Sequence, residues 1–434
     1  MRVAFFSPLN PSRSGISDFS EELLPYICKR ADVDIFTSED RLENSWINDN
    51  LDVYKIEQYD SDEIRKQYDL AVFHMGNNYK LHYKIAETFM KYGGILELHD
   101  VALHHYLAEE TIVRNDNEKY LATMEYCHGR KGKEAARNFL DGRSEPLWEK
   151  QSLKYTVNKK FVDRAQAIIT HSDFAKQLVK GENWNKKVKT IPLHTVRFYD
   201  DFEKEKIESK LQLGIDKEVL VFGAFGNLSP NKRIEPILKA LYQLKKRKLK
   251  FRFCIVGEIR DIDIKKIIKE YDLVDEVVIT GFTSIDVFDT YMSACDIAFN
   301  LRYPTQGETS ASLHRLLGMG KPVLVTDIGA FQEYPDDIVF KVRYDENEID
   351  DIVGHILALT KNGMLEEKGK QIVSYAREHY SLEHNADEYV KFFENIVTGN
   401  YKDDNMEELL DKIMELQLFK NDHYINYLVD KLFP

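Results

Sequence analysis

Three segments combine glycine, hydroxyl, amide and charged side chains in an order that suits an anionic, polyhydroxylated ligand. SPLNPSRSGISDFSEELL (Ser7 to Leu24) follows an apolar run, and its Pro and Ser residues predict a loop before a helix that starts near Ser17 or Asp18. Gly15 allows close backbone approach there, and the unpaired N–H groups of a helix start favour phosphate or sugar oxygens. FGNLSPNKRIEPILKAL (Phe225 to Leu241) repeats the arrangement, with Lys232 and Arg233 at the loop-to-helix junction. Two cations there oppose the helix dipole, so a diphosphate ligand explains them about as well as a solvated loop rim does. RYPTQGETSASLHRLLGMGKPVLVTDIGAFQE (Arg302 to Glu333) places Glu308 just before Thr309, Ser310, Ala311 and Ser312. Glu308 is set to accept sugar hydroxyls while the following amides hold phosphate; as structure alone it is a helix-start carboxylate worth about 0.3–1 kcal/mol. Histidines gather in the first half: His74 in FHMGNN, with Asn77 beside it, His99 in LHD, His104 and His105, and His171 in THS. His74, His99 and His171 fall at the ends of predicted strands, the edge where open sheets bind ligands. A polar cleft is expected there rather than a metal site, because no carboxylate stands at ligand spacing. Neither the GxGxxG fingerprint nor the GxxxxGK[ST] phosphate loop occurs.

The elements that position these residues show in the hydropathy pattern. Short runs rich in Val, Ile and Phe alternate with helical patterns: Arg2–Pro8, Asp32–Ser38, Asp69–Met75, Gly93–Asp100, Gln166–Ser172 and Val188–Leu193, then Val219–Gly226, Phe251–Gly257, Glu276–Phe282, Asp296–Leu301, Lys321–Asp327 and Ile338–Val342. Continuously apolar strands separated by helices predict parallel sheets covered on both faces. Two doubly wound, Rossmann-like α/β domains are expected, spanning residues 1–200 and 201–380, with helices over 381–434. The boundary rests on the charged connector Phe198–Lys217, and residues 103–164 predict a helical insertion in the first domain. Ser381 is the expected N-cap of a helix carrying Ala386, Tyr389, Phe392 and Phe393. Met406–Pro434 reads as an amphipathic acidic extension, with Leu409, Leu410, Ile413 and Leu416 on one face.

A length of 434 residues suits two or three domains, and 43% hydrophobic with 31% charged residues describes a folded chain with a polar exterior. The formal net charge of −13 makes nucleic acid a poor expectation. Cys28, Cys127, Cys254 and Cys295 lack paired spacing and read as reduced structural thiols. The amino-terminal MRVAFFS enters a strand directly, without a secretory pattern, and no run approaches about 18 apolar residues. A cytoplasmic protein is expected, with the inner membrane face as a possible station.

Read together, PSRSGISDFS, FHMGNN, LHDVALHH, IITHSDFA, GNLSPNKRI, TGFTS, GETSASL and GKPVLVTDIGAFQEYPD resemble, in this order, the motifs of the retaining glycosyltransferases of family four. The resemblance extends to about Thr398 and implies the GT-B fold, two Rossmann-like domains across a donor cleft. It implies that Gly15 approaches the donor phosphate, His99 contacts the transferred sugar, and Lys232 with Arg233 neutralises the diphosphate. It places the base near Phe282, sugar hydroxyls on Glu308 and phosphate on the amides of Thr309, Ser310 and Ala311, with Asn77, His171 and Arg302 as further cleft residues. No metal or other cofactor is implied beyond the nucleotide diphosphate sugar. The acceptor it implies is a glycan, glycolipid or glycoprotein.

Two positions depart from the family pattern. Asn227 stands where many members have an Arg, which leaves Arg233 to supply that charge; Asn227 itself remains at the phosphate loop. Eight residues beyond Glu308, where a second glutamate is usual, stands Leu316, and Arg315 is the best match on the helix. Two other readings stay open. One is an inactive nucleotide-sugar-binding scaffold. The other is a metal-dependent transferase using Asp32-Val33-Asp34 or Asp261-Ile262-Asp263 as a DxD. Lys245, Lys246, Arg247, Lys248, Lys250 and Arg252 form a basic run better explained as a solvated helix end than as a membrane patch.

Overall fold

The computed structural model describes residues 1–181, 185–259, 262–361 and 363–401. The amphipathic extension expected over Met406–Pro434 lies outside the described residues, as does Asp261. Strands β1 (Arg2–Phe6), β2 (Asp32–Thr37), β3 (Val53–Lys55), β4 (Leu70–Met75), β5 (Ile95–Leu98), β6 (Ala167–Thr170) and β7 (Val188–Thr190) form one sheet in the order β3-β2-β1-β4-β5-β6-β7. Strands β8 (Leu220–Phe225), β9 (Phe251–Val256), β10 (Val277–Gly281), β11 (Ile297–Asn300), β12 (Val323–Thr326) and β13 (Phe340–Val342) form a second, β10-β9-β8-β11-β12-β13. All pairings within both sheets are parallel. Two Rossmann-like parallel-sheet units are therefore present, as the alternating pattern predicts. The one strand that pattern misses is β3, a three-residue edge strand with Val53 exposed and Tyr54 and Lys55 only partly buried, so it leaves no apolar run to read.

Strand alternation divides the first core into two layers. Ala4 and Phe6 point to the side of Phe36, Phe73 and Phe89, while Val3 and Phe5 point to the side of helix α1 (Gly15–Ile27). Between β5 and β6 lies a largely helical stretch, whose longest helix, α2 (Asn117–Leu140), bends at Gly129 with φ +63°. The other helices used below are α3 (Asp173–Lys180), α4 (Ile234–Lys246), α5 (Ile285–Ala294), α6 (Ala311–Gly318), α7 (Met364–His379) and α8 (Leu382–Thr398).

Helix α8 shows how sequence spacing becomes tertiary contact. Leu382, Ala386, Tyr389, Val390, Phe393 and Ile396 recur at helical spacing and are buried in the α1-side core of the first sheet. Each large side chain there contributes roughly 1.5–3 kcal/mol by leaving water. Gly399, at φ +74°, ends the helix. Ser381 precedes it as expected, but its hydroxyl makes no capping bond; its backbone instead bridges Thr195.

In each sheet the strand order reverses once, between β1 and β4 in the first and between β8 and β11 in the second. Loops leaving the carboxyl ends of strands at such a reversal diverge and open a crevice. The two crevices face each other. Contacts across the interface include His314 Nδ1 to the Leu193 carbonyl at 2.6 Å and Glu333 accepting from the Asp173 and Phe174 amides at the start of α3.

Candidate active site

The loop after β1 ends at Ser14, whose hydroxyl accepts the Ser17 amide at 3.1 Å and caps α1. The helix thus begins at Gly15, ahead of the start expected near Ser17 or Asp18, because Ser14 caps it. An added Cβ at Gly15 would meet nothing within 4 Å, so its backbone faces open space. A cavity of about 420 Å³ lies there, lined by Gly15, Asn77 and His99 from the first sheet and by Asn227, Thr309 and Ala311 from the second. Six residues selected from sequence thus share one cleft. Ser310 has its hydroxyl turned inward, capping α6 and accepting from Asn300 Nδ2 at 2.9 Å, so only its backbone is free to serve a ligand.

Beside Thr309 stands a charged group. Glu308 accepts from Arg302 Nη1 at 2.6 Å, Thr305 Oγ1 at 3.2 Å and the Gln306 amide at 2.7 Å. A carboxylate offers about four lone-pair sites, so one remains for a hydroxyl. Burial alone would push the Glu308 carboxyl up, but the Arg302 charge and hydrogen bond outweigh it and hold the group below its ordinary value. Lys232 has no ion-pair partner among the described residues, and burial, reinforced by the Arg302 charge, pushes its ammonium well below the usual lysine range. Only the Glu308 carboxylate, itself held by Arg302, opposes that shift.

Arg233 corrects the sequence expectation. Although adjacent to Lys232, it sits at φ +56° and turns its guanidinium to Glu348, with Nε 2.9 Å from Oε1 and Nη2 on Oε2. Its charge is paired with Glu348, away from Lys232, whereas Arg302, paired with Glu308, is the cation whose field acts on Lys232.

The histidines form a layer under the cleft. His74 Nδ1 and His99 Nε2 are 3.0 Å apart, His99 Nδ1 and His171 Nε2 3.1 Å, and His171 Nδ1 lies 2.9 Å from the Ile191 carbonyl. His171 therefore stands behind His99 rather than on the cavity of Gly15. Burial pushes the rings of His74 and His99 well below the usual imidazole value and His171 to about 4. The expectation that no carboxylate accompanies them is overturned by Glu97, whose Oε2 lies 3.4 Å from His74 Nε2 and whose Oε1 lies 3.7 Å from His99 Nε2. His74, Glu97 and His99 are of metal-ligand type and close enough to share an ion. However, His74 Nδ1 and His99 Nε2 face each other instead of converging on one point. Glu97 was legible in LELHD: residues two apart on a strand share a face. Asp100, next in that motif, also lines the cavity; it accepts the Asn77 amide at 2.8 Å, and burial pushes its carboxyl up to about 6.

Phe282 is 60% exposed, with the Arg13 guanidinium of the opposite domain 4.9 Å from its ring centre. Arg315 does not open onto a ligand: it pairs with Glu22 of α1 and lies 3.7 Å from Asp289 of α5. It fastens the two helices whose first turns flank the cleft. Arg315→Glu places a third carboxylate among these groups and is expected to destabilise the closed arrangement by about 3 kcal/mol, read as a lower melting temperature and a larger radius of gyration in solution scattering. The DxD alternative loses Asp34, which is committed to Arg2 and Tyr68 at 2.7 Å each, and Asp263, which caps its helix by accepting from Lys266. In the basic run, Lys245 pairs with Glu276 and Arg252 donates to the Asp275 carbonyl, as a helix end engaged with its own domain does.

Residues 205–379 match the family described as Glycosyl transferases group 1. No curated protein sequence matches the chain significantly. Among solved structures, it is similar to a sucrose-phosphate synthase from Thermosynechococcus elongatus, with 14% identity, TM-score 0.64, and 92% of this chain and 100% of that one covered. It is likewise similar to HepE of Anabaena in complex with UDP and glucose, with 14% identity, TM-score 0.61, and coverage of 91% and 100%. A glycosyltransferase from Rickettsia africae aligns at 13% identity and TM-score 0.61 over 91% of this chain and 98% of that one. At such identities the likeness is one of fold, and the fold is GT-B.

Proposed function

We propose that this chain, with its glycosyl transferases group 1 domain, is a retaining, hexosyltransferase-type glycosyltransferase of family four that moves a sugar from a nucleotide diphosphate sugar to a glycan, glycolipid or glycoprotein acceptor. The observation that carries the reading is the meeting of two helix starts from opposite domains, α1 at Gly15 and α6 at Ala311, across one cavity; Lys232, in electrostatic contact with Arg302 and Glu308, has no ion-pair partner among the described residues. Helix starts bind phosphate through their free N–H groups, and a cation with no ion-pair partner among the described residues suits a diphosphate.

In this reading the sugar–phosphate bond breaks as the acceptor oxygen bonds to the anomeric carbon, and negative charge grows on the departing diphosphate. Lys232 and Arg302 stabilise that charge, which is stronger in the transition state than in the ground state. The amides of Thr309 to Ala311 and of Gly15 hold the phosphates, and Glu308 accepts a sugar hydroxyl while holding Arg302. The acceptor proton passes to the departing phosphate on the same face, so the anomeric configuration is retained without a protein nucleophile. Phe282, with Arg13 above it, offers the base an aromatic face.

HepE, solved with UDP and glucose, makes UDP-glucose the first donor to test. A thermal-shift screen of free UDP, GDP and ADP, followed by hydrolysis and transfer assays with the corresponding sugars, is expected to select one nucleotide. Activity is expected to be unchanged by EDTA, since the cations Lys232 and Arg302 occupy the place a metal ion would neutralise; loss of activity with EDTA and recovery with a divalent ion would revive the DxD alternative. Nucleotide binding without any hydrolysis or transfer would mark an inactive scaffold. No described helix is long and apolar enough to cross a membrane. A cytoplasmic site of action, with contact at the inner membrane face when the acceptor is lipid-linked, accords with this reading.

A further inference from the structure

The histidine layer has a direction that its end groups impose. A backbone carbonyl can only accept, so at 2.9 Å from the Ile191 oxygen His171 Nδ1 carries a hydrogen. His171 is buried and neutral, so its Nε2 has a lone pair and must receive a hydrogen from His99 Nδ1, 3.1 Å away. His99 is then an Nδ1–H tautomer whose Nε2 receives from His74 Nδ1 at 3.0 Å. The same step leaves a lone pair on His74 Nε2, which faces Glu97 Oε2 at 3.4 Å. These two atoms are buried and have no hydrogen-bond partner among the described residues. If Glu97 were ionised, two acceptors would face each other out of reach of water, which costs both groups their hydration without return. One hydrogen on Oε2 satisfies both. The other oxygen, Oε1, already accepts from the Tyr389 hydroxyl at 2.6 Å, from the helix α8 that returns to the first domain.

We propose that Glu97 is held as a neutral carboxylic acid that donates to His74 Nε2, and that the chain Glu97, His74, His99, His171, Ile191 carbonyl locks His99 in one tautomer with both ring nitrogens occupied. Glu97 is thus a positioning residue. His99 is a fixed wall of the sugar site and has no nitrogen free to exchange a proton with substrate, in keeping with a reaction in which the leaving phosphate takes the acceptor proton. Register explains why these residues meet: His74 and Glu97 are paired across β4 and β5, and His99 and His171 follow the paired ends Leu98 and Thr170 of β5 and β6.

Burial pushes the Glu97 carboxyl up to about 8, against the opposing Tyr389 hydrogen bond. The titratable groups facing it are His74 from β4, His99 after β5, His171 after β6 and Tyr389 from α8. His82, which contacts the His74 carbonyl, and His194, stacked on Phe19 beside the layer, lie next to them. Because the folded-state value exceeds the ordinary 4.5, the contribution of Glu97 to stability is complete below pH 4.5 and declines as pH rises to about 8. Above that pH the chain loses its terminal donor.

The test uses the full-length protein with 15N-labelled histidine, comparing wild type, Glu97→Gln and Glu97→Leu. Side-chain 15N shifts are expected to show neutral Nδ1–H tautomers for His74, His99 and His171 in the wild type and in Glu97→Gln, whose amide N–H replaces the carboxyl donor while its carbonyl still accepts from Tyr389. Glu97→Leu is expected to lose the single pattern. An Nε2–H or charged His99 in the wild type, a Glu97→Gln spectrum as disturbed as that of Glu97→Leu, or a stoichiometric metal ion in the purified protein overturns the proposal. If Glu97→Leu does not fold, the wild type and Glu97→Gln decide the matter. The activity arm rests on the proposed sugar transfer: Glu97→Gln keeps kcat but lacks the fall above about pH 8, whereas Glu97→Leu lowers kcat by about tenfold with little change in donor KM. Absence of transfer in every form would count against the functional reading and leave the tautomer result standing.

Discussion

Lys232→Met is expected to remove sugar transfer and, at the same time, to raise the thermal stability of the unliganded protein. The two effects have one cause. Among the described residues Lys232 has no ion-pair partner, and it is desolvated beside the like charge of Arg302. Its ammonium is therefore less favourable folded than unfolded. Because the folded-state value lies below the ordinary 10.5, its contribution to stability is complete above that pH and is lost as pH falls through the lowered value. At neutral pH the residue is a net liability that Met, of similar length, relieves. An anionic diphosphate offsets that cost, so nucleotide is expected to raise the melting temperature of the wild type more than that of Lys232→Met. Loss of a preorganised cation from developing charge lowers kcat by about 10²–10³-fold. Unchanged transfer by Lys232→Met would remove Lys232 from the site.

Glu308→Ala is expected to abolish transfer too, but with the opposite sign on stability. The carboxylate holds Arg302, Thr305 and the Gln306 amide, and the Arg302 Nε is already buried with no hydrogen-bond partner among the described residues. Removing Glu308 strands a buried guanidinium and is expected to destabilise by about 3 kcal/mol. Glu308→Gln keeps the shape and the acceptor oxygen, so it should retain more of the fold while still losing the charge that aligns Arg302. Chemical denaturation of Lys232→Met, Glu308→Ala and Glu308→Gln beside their turnover rates separates the two residues: equal stability effects would contradict the contact pattern described here.

The two residues also differ in how far the sequence exposed them. Both lie after short, largely apolar strands, so the parallel sheets, the strand ends and hence the loops were legible from hydropathy alone. At that level Gly15, Asn77, His99, Asn227, Thr309 and Ala311 could be assigned to one cleft, because the carboxyl ends of parallel strands at an order reversal are where loops diverge. What a loop residue does with its charge was not legible. Arg233 and Lys232 are neighbours in sequence, yet Arg233 pairs with Glu348, 115 residues away, and Lys232 has no ion-pair partner among the described residues.

The sequence by itself determined the repeating strand and helix pattern, the strand-end placement of the ligand-type residues and the small-residue helix starts. These follow from local rules: side-chain periodicity, turn residues and capping act over a few positions. Only the tertiary structure decided which charges are compensated, that Arg315 ties α6 to Glu22 of α1, and that Glu97 closes a hydrogen-bonded chain through His74 and His99. Those outcomes depend on partners brought together by strand register and domain closure. Electrostatic and hydrogen-bond energies fall away within a few ångströms of ideal geometry, so no spacing along the chain can stand in for that approach.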